Sequence, residues 1–259
     1  MHTDAPIGVF DSGVGGLGTL KELMRQLPGE DFLYYGDNAN APYGNRSEAD
    51  IRALSTRCVE FLLNRNAKCI VVACNTASSA SIASLRARYS VPFVAMEPAV
   101  RPAAHLVKEG KVMVLATRAT LRQKLFRMRV EECGIQQRVL PVGCPELVEL
   151  VEQGVCSGPQ IDAVLRQKFE PIQQEQVDVA VLGCTHFLHL KAPIARMVHH
   201  FWPQAPVIDG DAGTAHQLQH VLQTQGLLRP RTSGGQVTYF TSGDAAVYLP
   251  LFQRLMRQS

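Results

Sequence analysis

Nine short apolar runs recur along the chain, and polar or amphipathic segments separate them. The runs are rich in Val, Ile, Leu, Phe and Tyr, and they are IGVF, FLYYG, CIVVA, VPFVAM, KVMVLAT, QRVLPVG, VDVAVLG, PVIDG and VTYFTSG. Segments between them, such as 47–66 and 119–133, are amphipathic with a helical period. Strands that are apolar on both faces and alternate with helices are typical of parallel sheets covered by helices. The sequence therefore predicts an α/β fold.

A cysteine ends two of these runs. The stretches IVVACNTASSA and AVLGCTHFLHL each pass from a strand through Cys74 or Cys184 into small polar residues. One such stretch in each half of the chain indicates two similar lobes, each a mainly parallel sheet flanked by helices, with the active site in the cleft between them. Prolines after VPFVAM and before VIDG mark the crossings. We predict a first lobe from 1–96 plus 208–259 and a second lobe from 97–207.

The composition excludes several classes of partner. The chain has 259 residues and a formal net charge of +3, and no run of five or six like charges predicts nucleic-acid binding. No apolar stretch approaches the roughly 20 residues that cross a bilayer. The N-terminal residues MHTDAPIGVF lack the basic and apolar parts of a secretion signal. We expect a cytoplasmic protein with no nucleic-acid or membrane partner.

Polar side chains directly follow five of the strands, at the edge where ligands bind in open parallel sheets. They are Asp11 and Ser12, Asp37 and Asn38, Cys74 to Thr76, Thr117, and Cys184 to His186. If the first and third strands are neighbours, as in the flavodoxin-like order, Asp11 lies beside Cys74. A carboxylate would then stand next to a thiol.

Both cysteines stand immediately before a predicted helix. Unpaired N–H groups and the positive end of the helix dipole would lie beside each sulfur, and this environment lowers the pKa of a thiol. A buried structural cysteine is the alternative for either residue alone. Because the two cysteines occur in matching contexts, we interpret Cys74 and Cys184 as proton-transfer groups.

The glycines of DSGVGGLG offer a competing interpretation. Gly13, Gly15 and Gly18 match a G-x-G-x-x-G pattern, and Asp37 ends the next strand, where a ribose-binding acid would stand. Against a dinucleotide, Asp11 lies between the strand and the glycines, where its negative charge would oppose a pyrophosphate. We interpret the glycines as a tight turn that exposes helix N–H groups to a smaller anion, such as a carboxylate.

Metal and cofactor sites are poorly supported. The seven cysteines include no C-x-x-C pair, and Cys184, His186 and His189 have no evident further ligands to complete a metal site. No lysine follows a strand end, where a pyridoxal enzyme would place it. We predict neither a metal nor a cofactor.

Two thiols on opposed lobes suit one class of reaction. Inversion of a carbon centre needs one group to remove a proton from one face and another to supply a proton to the opposite face. Asp11 and His186 would be the local partners of the two thiols. The residues therefore predict racemisation or epimerisation at a carbon acid.

Six motifs in order identify a family. FDSGVGG, YYGDNANAPYGNRS, VVACNTASS, CPELVELVE, LGCTHF and YFTSGD strongly resemble the glutamate racemases of the cofactor-independent aspartate/glutamate racemase superfamily. The resemblance runs from residue 7 to about residue 255. It implies that Cys74 works on the D-enantiomer and Cys184 on the L-enantiomer. It also implies that the D-glutamate formed supplies peptidoglycan synthesis.

The resemblance further implies which residues contact substrate or tune the thiols. They are Asp11, Ser12, Tyr43, Gly44, Asn75, Thr76, Thr185 and His186, with Thr117, Thr120 and Glu152 at lesser family positions. Arg46 is the one cation in the core motifs. We therefore expect backbone N–H groups of the 42–44 loop and the helix starts to hold the substrate carboxylates.

Two alternatives stay open at this point. The substrate could be aspartate or a related amino acid, because the preference for glutamate depends on the resemblance alone. A non-catalytic module could also use the same cleft to bind an amino acid or a nucleotide. For either function we expect a small-molecule ligand and a homodimer.

Overall fold

The computed structural model describes residues 3–257, which form nine strands and eleven α-helices. In chain order the strands are β1 Ile7–Asp11, β2 Phe32–Gly36, β3 Cys69–Val72, β4 Phe93–Ala95, β5 Lys111–Ala116, β6 Val139–Gly143, β7 Val177–Leu182, β8 Val207–Asp209 and β9 Val237–Thr241. The helices are α1 Gly16–Gln26, α2 Glu48–Leu63, α3 Asn75–Arg88, α4 Val100–Leu106, α5 Arg118–Arg122, α6 Lys124–Glu132, α7 Pro145–Glu152, α8 Pro159–Phe169, α9 Lys191–Phe201, α10 Asp211–Thr224 and α11 Ala245–Arg257. The chain divides into two compact units, Met1–Met96 with Asp211–Ser259, and Glu97–Gly210.

The first unit contains a five-stranded parallel sheet in the order β4-β3-β1-β2-β9. Every residue of β1 and β3 is buried, as expected for central strands that helices cover on both faces. On α1, Leu17, Leu20 and Leu23 recur at helical spacing and are fully buried. Helix α2 begins after Ser47, whose Oγ accepts a hydrogen bond from the Asp50 N–H.

The second unit contains a four-stranded parallel sheet in the order β6-β5-β7-β8. Its central strands β5 and β7 are buried along almost their whole length. Valines of both strands pack with Phe126 and Val130 of α6 and with α4 in one apolar cluster. Both units therefore bury their sheets under helices, and both sheets present the carboxyl ends of their central strands at one edge.

The predicted α/β fold of two mainly parallel sheets flanked by helices is confirmed. All nine apolar runs form strands. The chain returns to the first unit at Asp211 and not at 208, because β8 pairs with β7 of the second sheet. The amphipathic segment 119–133 forms two helices, α5 and α6, because Gln123 between them is extended, with ψ at 147°.

A buried ion pair lies at the amino ends of the first sheet. Lys68 precedes β3 and Glu30 precedes β2, and Lys68 Nζ lies 2.6 Å from Glu30 Oε2. Both residues are at most 2% exposed. The other carboxylate oxygen of Glu30 accepts a hydrogen bond from the Arg229 N–H at 2.8 Å. The pair thereby joins three distant segments at the edge opposite the strand carboxyl ends.

None of the helices within residues 3–257 combines the length and the apolar character that crossing a membrane requires.

Candidate active site

A first cluster of predicted site residues lies at the carboxyl edge of the first sheet. It consists of Asp11, Ser12, Tyr43, Cys74, Asn75 and Thr76, all of which are buried. Strands β1 and β3 are neighbours, and the Ala73 N–H donates to the Phe10 carbonyl at 2.8 Å. This pairing brings the ends of both strands together, as the predicted strand order requires.

Cys74 caps helix α3. The Ala77 N–H donates to Cys74 Sγ at 3.4 Å, and the thiol donates to Ser12 Oγ at 3.6 Å. The helix begins at Asn75, directly after the cysteine, so the prediction of a helix start beside this sulfur is confirmed. Partial positive charge from the unpaired N–H groups of a 14-residue helix therefore lies next to the sulfur.

The glycine turn after β1 is occupied by the carboxylate of Asp11. The Gly13 N–H donates to Asp11 Oδ1 at 2.8 Å. Gly16 begins α1 close to the strand ends. A Cβ at this position would lie 2.7 Å from Asp11 Cβ and 3.1 Å from Ala73 Cβ. A side chain at Gly16 would push the helix away from both strands. The turn thus serves a fully buried carboxylate, which counts against binding of a pyrophosphate.

Asp37 organises the 42–44 loop. Tyr43 donates its hydroxyl hydrogen to Asp37 Oδ2 at 2.6 Å, and Asn40 Nδ2 donates to Asp37 Oδ1 at 2.9 Å. Tyr43 Oη also lies 3.8 Å from Cys58 Sγ. Burial, followed by neighbouring negative charge, raises the pKa of both the Tyr43 hydroxyl and the Cys58 thiol. Both groups therefore remain protonated and orient the loop.

The sequence placed Asp37 at a strand end but did not assign it among the residues that contact substrate or tune the thiols. Its position directly after β2, in the same row of strand ends as Asp11, was the available signal. Because both of its carboxylate oxygens accept hydrogen bonds from the 40–43 segment, the structure gives this residue a role within the protein. A ribose-binding role, the alternative suggested by the glycine pattern, finds no support here.

A second cluster lies at the carboxyl edge of the second sheet. It consists of Thr117, Thr120, Glu152, Cys184, Thr185 and His186. Between β7 and Cys184, the Gly183 N–H donates to the Leu115 carbonyl at 2.7 Å, and a Cβ on Gly183 would lie 3.1 Å from that oxygen. This close approach of the chain to β5 sets the position of Cys184.

The helix after Cys184 differs from the prediction. Residues Thr185–Leu190 form a 3₁₀ helix, and α9 begins only at Lys191. Cys184 precedes the 3₁₀ helix without a hydrogen bond from its backbone N–H groups to the sulfur. A 3₁₀ segment has poorer hydrogen-bond geometry than an α-helix. The prediction of an α-helix that begins directly after Cys184, with its N–H groups beside the sulfur, is therefore wrong.

An imidazole takes the place of the helix N-terminus beside Cys184. His186 Nδ1 lies 3.7 Å from Cys184 Sγ, and His186 Nε2 lies 2.6 Å from Glu152 Oε1. Burial alone would lower the pKa of His186, but the hydrogen bonds and negative charges of Cys184 and Glu152 outweigh it and raise that pKa well above its usual value. The ring thereby connects the sulfur to a carboxylate.

The two threonines of the second cluster shape the end of β5. Thr117 caps α5, where its Oγ1 accepts from the Thr120 N–H at 3.1 Å, and the two hydroxyl oxygens lie 3.0 Å apart. Both residues are buried. They hold the turn that follows the strand paired with β7.

Replacement of Glu152 by glutamine should lower the pKa of His186. The carboxylate is one of the two groups that raise this pKa, and the burial that opposes them stays. A raised folded-state pKa gives a stabilisation that is complete below the usual histidine value and is lost as pH rises through the raised value. In Glu152→Gln that loss should begin at lower pH. NMR titration of the ring measures the shift, with His186→Asn assigning the signal.

Glu149→Gln is the matched control for this titration. Glu149 is exposed on the same helix, α7, so its substitution should leave the His186 midpoint unchanged. An identical midpoint in Glu152→Gln and in the parent protein would contradict the assignment of Glu152 as the partner of the ring.

Across the described range 3–257, no group of three or more His, Cys, Asp and Glu side chains is arranged to hold a metal ion.

Comparisons with known proteins agree on one family. The family model described as Asp/Glu/Hydantoin racemase matches residues 9–218. A glutamate racemase of Clostridium botulinum (strain Kyoto / Type A2) is 41% identical over 252 residues, which are 97% of each chain.

Two solved structures of similar proteins contain glutamate. The glutamate racemase of Francisella tularensis in complex with D-glutamate has a TM-score of 0.84 and 27% identity, over 99% of this chain and 95% of that one. The Escherichia coli glutamate racemase in complex with L-glutamate and the activator UDP-MurNAc-ala has a TM-score of 0.83 and 31% identity, over 96% and 95%.

Proposed function

The chain belongs to the family of Asp/Glu/hydantoin racemases, and from this membership we propose that it interconverts L-glutamate and D-glutamate. It is therefore an enzyme of the racemase class. One observation carries the proposal to the level of chemistry. Each unit has a buried cysteine at the end of an interior strand, and each sulfur has its own polar partners. Two acid–base groups with separate proton partners are what a two-base inversion requires.

In the proposed reaction each cysteine serves one face of the α-carbon. With L-glutamate, the Cys184 thiolate removes the α-proton, and the Cys74 thiol donates its own proton to the opposite face of the carbanion. With D-glutamate the roles reverse. The Cys184 thiolate becomes a thiol as the Cys74 thiol becomes a thiolate, so protons and charge balance over one conversion. Proton exchange of both sulfurs with neighbouring groups and solvent then restores the starting state.

The two thiols use different partners to gain and lose their protons. We assign His186 as the group that exchanges a proton with Cys184, while Glu152 stabilises the charged ring. For Cys74 we assign the corresponding role to the N-terminus of α3 and the Ser12 hydroxyl, together with the Asp11 carboxylate at the adjacent strand end. Removal of one partner should therefore affect the two directions unequally.

We assign substrate binding to the remaining members of both clusters and to the 42–44 loop. Backbone N–H groups of Tyr43 and Gly44 and those at the start of α3 would hold the carboxylates, with Asn75, Thr76 and Thr185 as further contacts and Thr117 and Thr120 as lesser ones. Asn75 Oδ1 is buried and has no hydrogen-bond partner among the described residues. A ligand ammonium group would satisfy this oxygen.

The function is tested by circular dichroism of L-glutamate with purified protein and no added cofactor. We expect the optical signal to decay to zero, and to decay much more slowly with L-aspartate. Decay with aspartate alone would support the related racemase. An unchanged signal together with glutamate-induced thermal stabilisation would instead support a non-catalytic binding module.

Conversion of L-glutamate in heavy water should give D-glutamate that is almost fully deuterated at the α-carbon. Cys184 keeps the proton it has just removed, while Cys74, equilibrated with solvent, delivers deuterium to the other face. When the carbanion returns to L-glutamate, it takes back the proton that Cys184 has retained. The recovered L-glutamate therefore stays mostly unlabelled. Mass spectrometry of the separated enantiomers during the first few per cent of reaction measures both. Substantial protium in early D-glutamate would mean that a single base serves both faces.

The cellular role is a further part of the proposal. We infer that the D-glutamate supplies peptidoglycan synthesis, as the motif resemblance implies. The Escherichia coli relative was solved in complex with UDP-MurNAc-ala as its activator. The homodimer and the cytoplasmic location stay predictions, which sedimentation analysis and cell fractionation would check.

A further inference from the structure

The motif YFTSGD contributes no residue to either cluster. It covers the end of β9, where Phe240 and Thr241 lie, and the turn from Ser242 to Asp244 that leads into α11. Strand β9 is the edge strand beside β2 in the first sheet, and Thr241 pairs with Gly36 in register. The turn therefore lies next to the segment that leaves β2 toward the 42–44 loop.

Three hydrogen bonds join this turn to residues 36–39. Thr241 Oγ1 donates to Asn38 Oδ1 at 2.8 Å, although the two residues are 203 positions apart in sequence. The Ala39 N–H donates to Ser242 Oγ at 3.1 Å, and the Ser242 N–H donates to the Gly36 carbonyl at 3.0 Å. The Gly243 N–H donates to Thr241 Oγ1 at 3.0 Å, which turns the hydroxyl hydrogen toward Asn38.

Asn38 fits between two glycines. A Cβ on Gly36 would lie 2.6 Å from Asn38 Oδ1, and a Cβ on Gly243 would lie 3.3 Å from Asn38 Cβ and 2.6 Å from the Tyr248 ring. Real Cβ atoms do not approach to 2.6 Å without displacing a neighbour. Gly36 therefore leaves the space that Asn38 Oδ1 occupies, and Gly243 leaves the space that the Tyr248 ring occupies beside Asn38.

From Asn38 the contacts continue to the 42–44 loop. Residues Asn38–Asn40 form a 3₁₀ helix, and the Ala41 N–H donates to the Asn38 carbonyl at 3.3 Å. Arg46 Nε donates to the Asn40 carbonyl at 2.7 Å from beyond the loop. The loop is therefore held at its start by the 38–40 helix and at its end by Arg46.

We propose that Thr241 and Ser242 are positioning residues, which fix the 42–44 loop for glutamate binding through Asn38 and Ala39. The inference rests on the proposed function, since it assigns the loop to substrate carboxylates. Neither residue touches the reacting atoms. Their effect is on the placement of loop N–H groups, which we assign to the side-chain carboxylate. The charge of that carboxylate does not change during the reaction, so these groups bind it equally in the ground state and the transition state.

Thr241→Val should raise KM for glutamate about 3- to 10-fold, the usual worth of one net hydrogen bond. Valine keeps the β-branched shape and removes the donor. The lost binding energy is the same in the ground state and the transition state, so kcat should change less than about twofold. Thr241→Ser should restore KM, since it returns the hydroxyl. Ser242→Ala should raise KM in the same way, and the double variant should raise it further.

Thr238→Val is the matched control, the same change at an exposed position of the same strand. It should leave KM unchanged. Equal KM values in Thr241→Val, Ser242→Ala and Thr238→Val would overturn the inference, as would a fall in kcat with constant KM. If Thr241→Val does not fold, KM is compared between Ser242→Ala and Thr241→Ser. The inference is overturned if KM is the same in both variants. Absence of glutamate turnover in the parent protein would instead refute the proposed function.

Discussion

Cys74→Ser and Cys184→Ser should each lower glutamate racemisation by about 10²- to 10⁴-fold, the usual contribution of a positioned acid or base. An alcohol holds its proton too tightly to replace a thiol as a base at neutral pH. In the proposed reaction each sulfur is the base in one direction and the acid in the other, so both directions should be lost together. Circular dichroism of each glutamate enantiomer measures the rates, and thermal unfolding measures whether the fold is intact.

Cys133→Ser is the control for this pair of variants. Cys133 is half-buried at the end of α6 and belongs to neither cluster, so serine there should leave both rates near those of the parent. If Cys74→Ser or Cys184→Ser keeps most of its activity, the cysteine concerned has no part in proton transfer.

Lys68→Met should lower the free energy of unfolding by about 3–5 kcal/mol, the cost of breaking a buried ion pair by removing one partner. Glu30 would then lose its charged partner in a site that is 2% exposed, while the Arg229 N–H still donates to it. The shift of the midpoint of urea unfolding measures this loss of stability. Activity under native conditions should be retained, because the pair lies at the edge of the sheet opposite the first cluster.

A double variant distinguishes the cost of the unpaired buried carboxyl group from the cost of the lost packing. In Lys68→Met with Glu30→Gln, the uncharged amide oxygen can still accept from Arg229, and most of the stability should return. Lys124→Met, at an exposed lysine of α6, should change the midpoint little. A cost for Lys68→Met no larger than that of Lys124→Met would show that the pair contributes little to the fold.

The strands of this protein were predictable because their signal is local. Central strands such as β1 and β3 are buried on both faces, so each must be a continuous apolar run, and a run of that kind is visible without knowledge of its neighbours. Placement of polar residues directly after such runs also predicted the row of strand ends that carries Asp11 and Cys74. The start of α3 directly after Cys74 followed from the same local pattern.

Other features depend on segments that are distant in sequence. Two cysteines in matching contexts predicted a helix N-terminus beside each sulfur, with Asp11 and His186 as the local partners. A helix N-terminus donates to Cys74, whereas Cys184 lies beside His186 and precedes a 3₁₀ helix. The difference arises because α7 brings Glu152 within 2.6 Å of His186, and no local pattern around Cys184 contains that carboxylate. The α-helix expected after Cys184 is a 3₁₀ helix for six residues.

The sequence by itself determined the α/β fold, the nine strands and the row of polar residues at the strand ends, because burial on both faces and strand termination are properties of short segments. Only the tertiary structure decided which donors and charges surround those residues. His186 with Glu152 and Thr241 with Asn38 are both contacts between elements that are far apart in sequence. Such contacts depend on how strands pair and helices pack, so the same local pattern can acquire different chemistry in each unit.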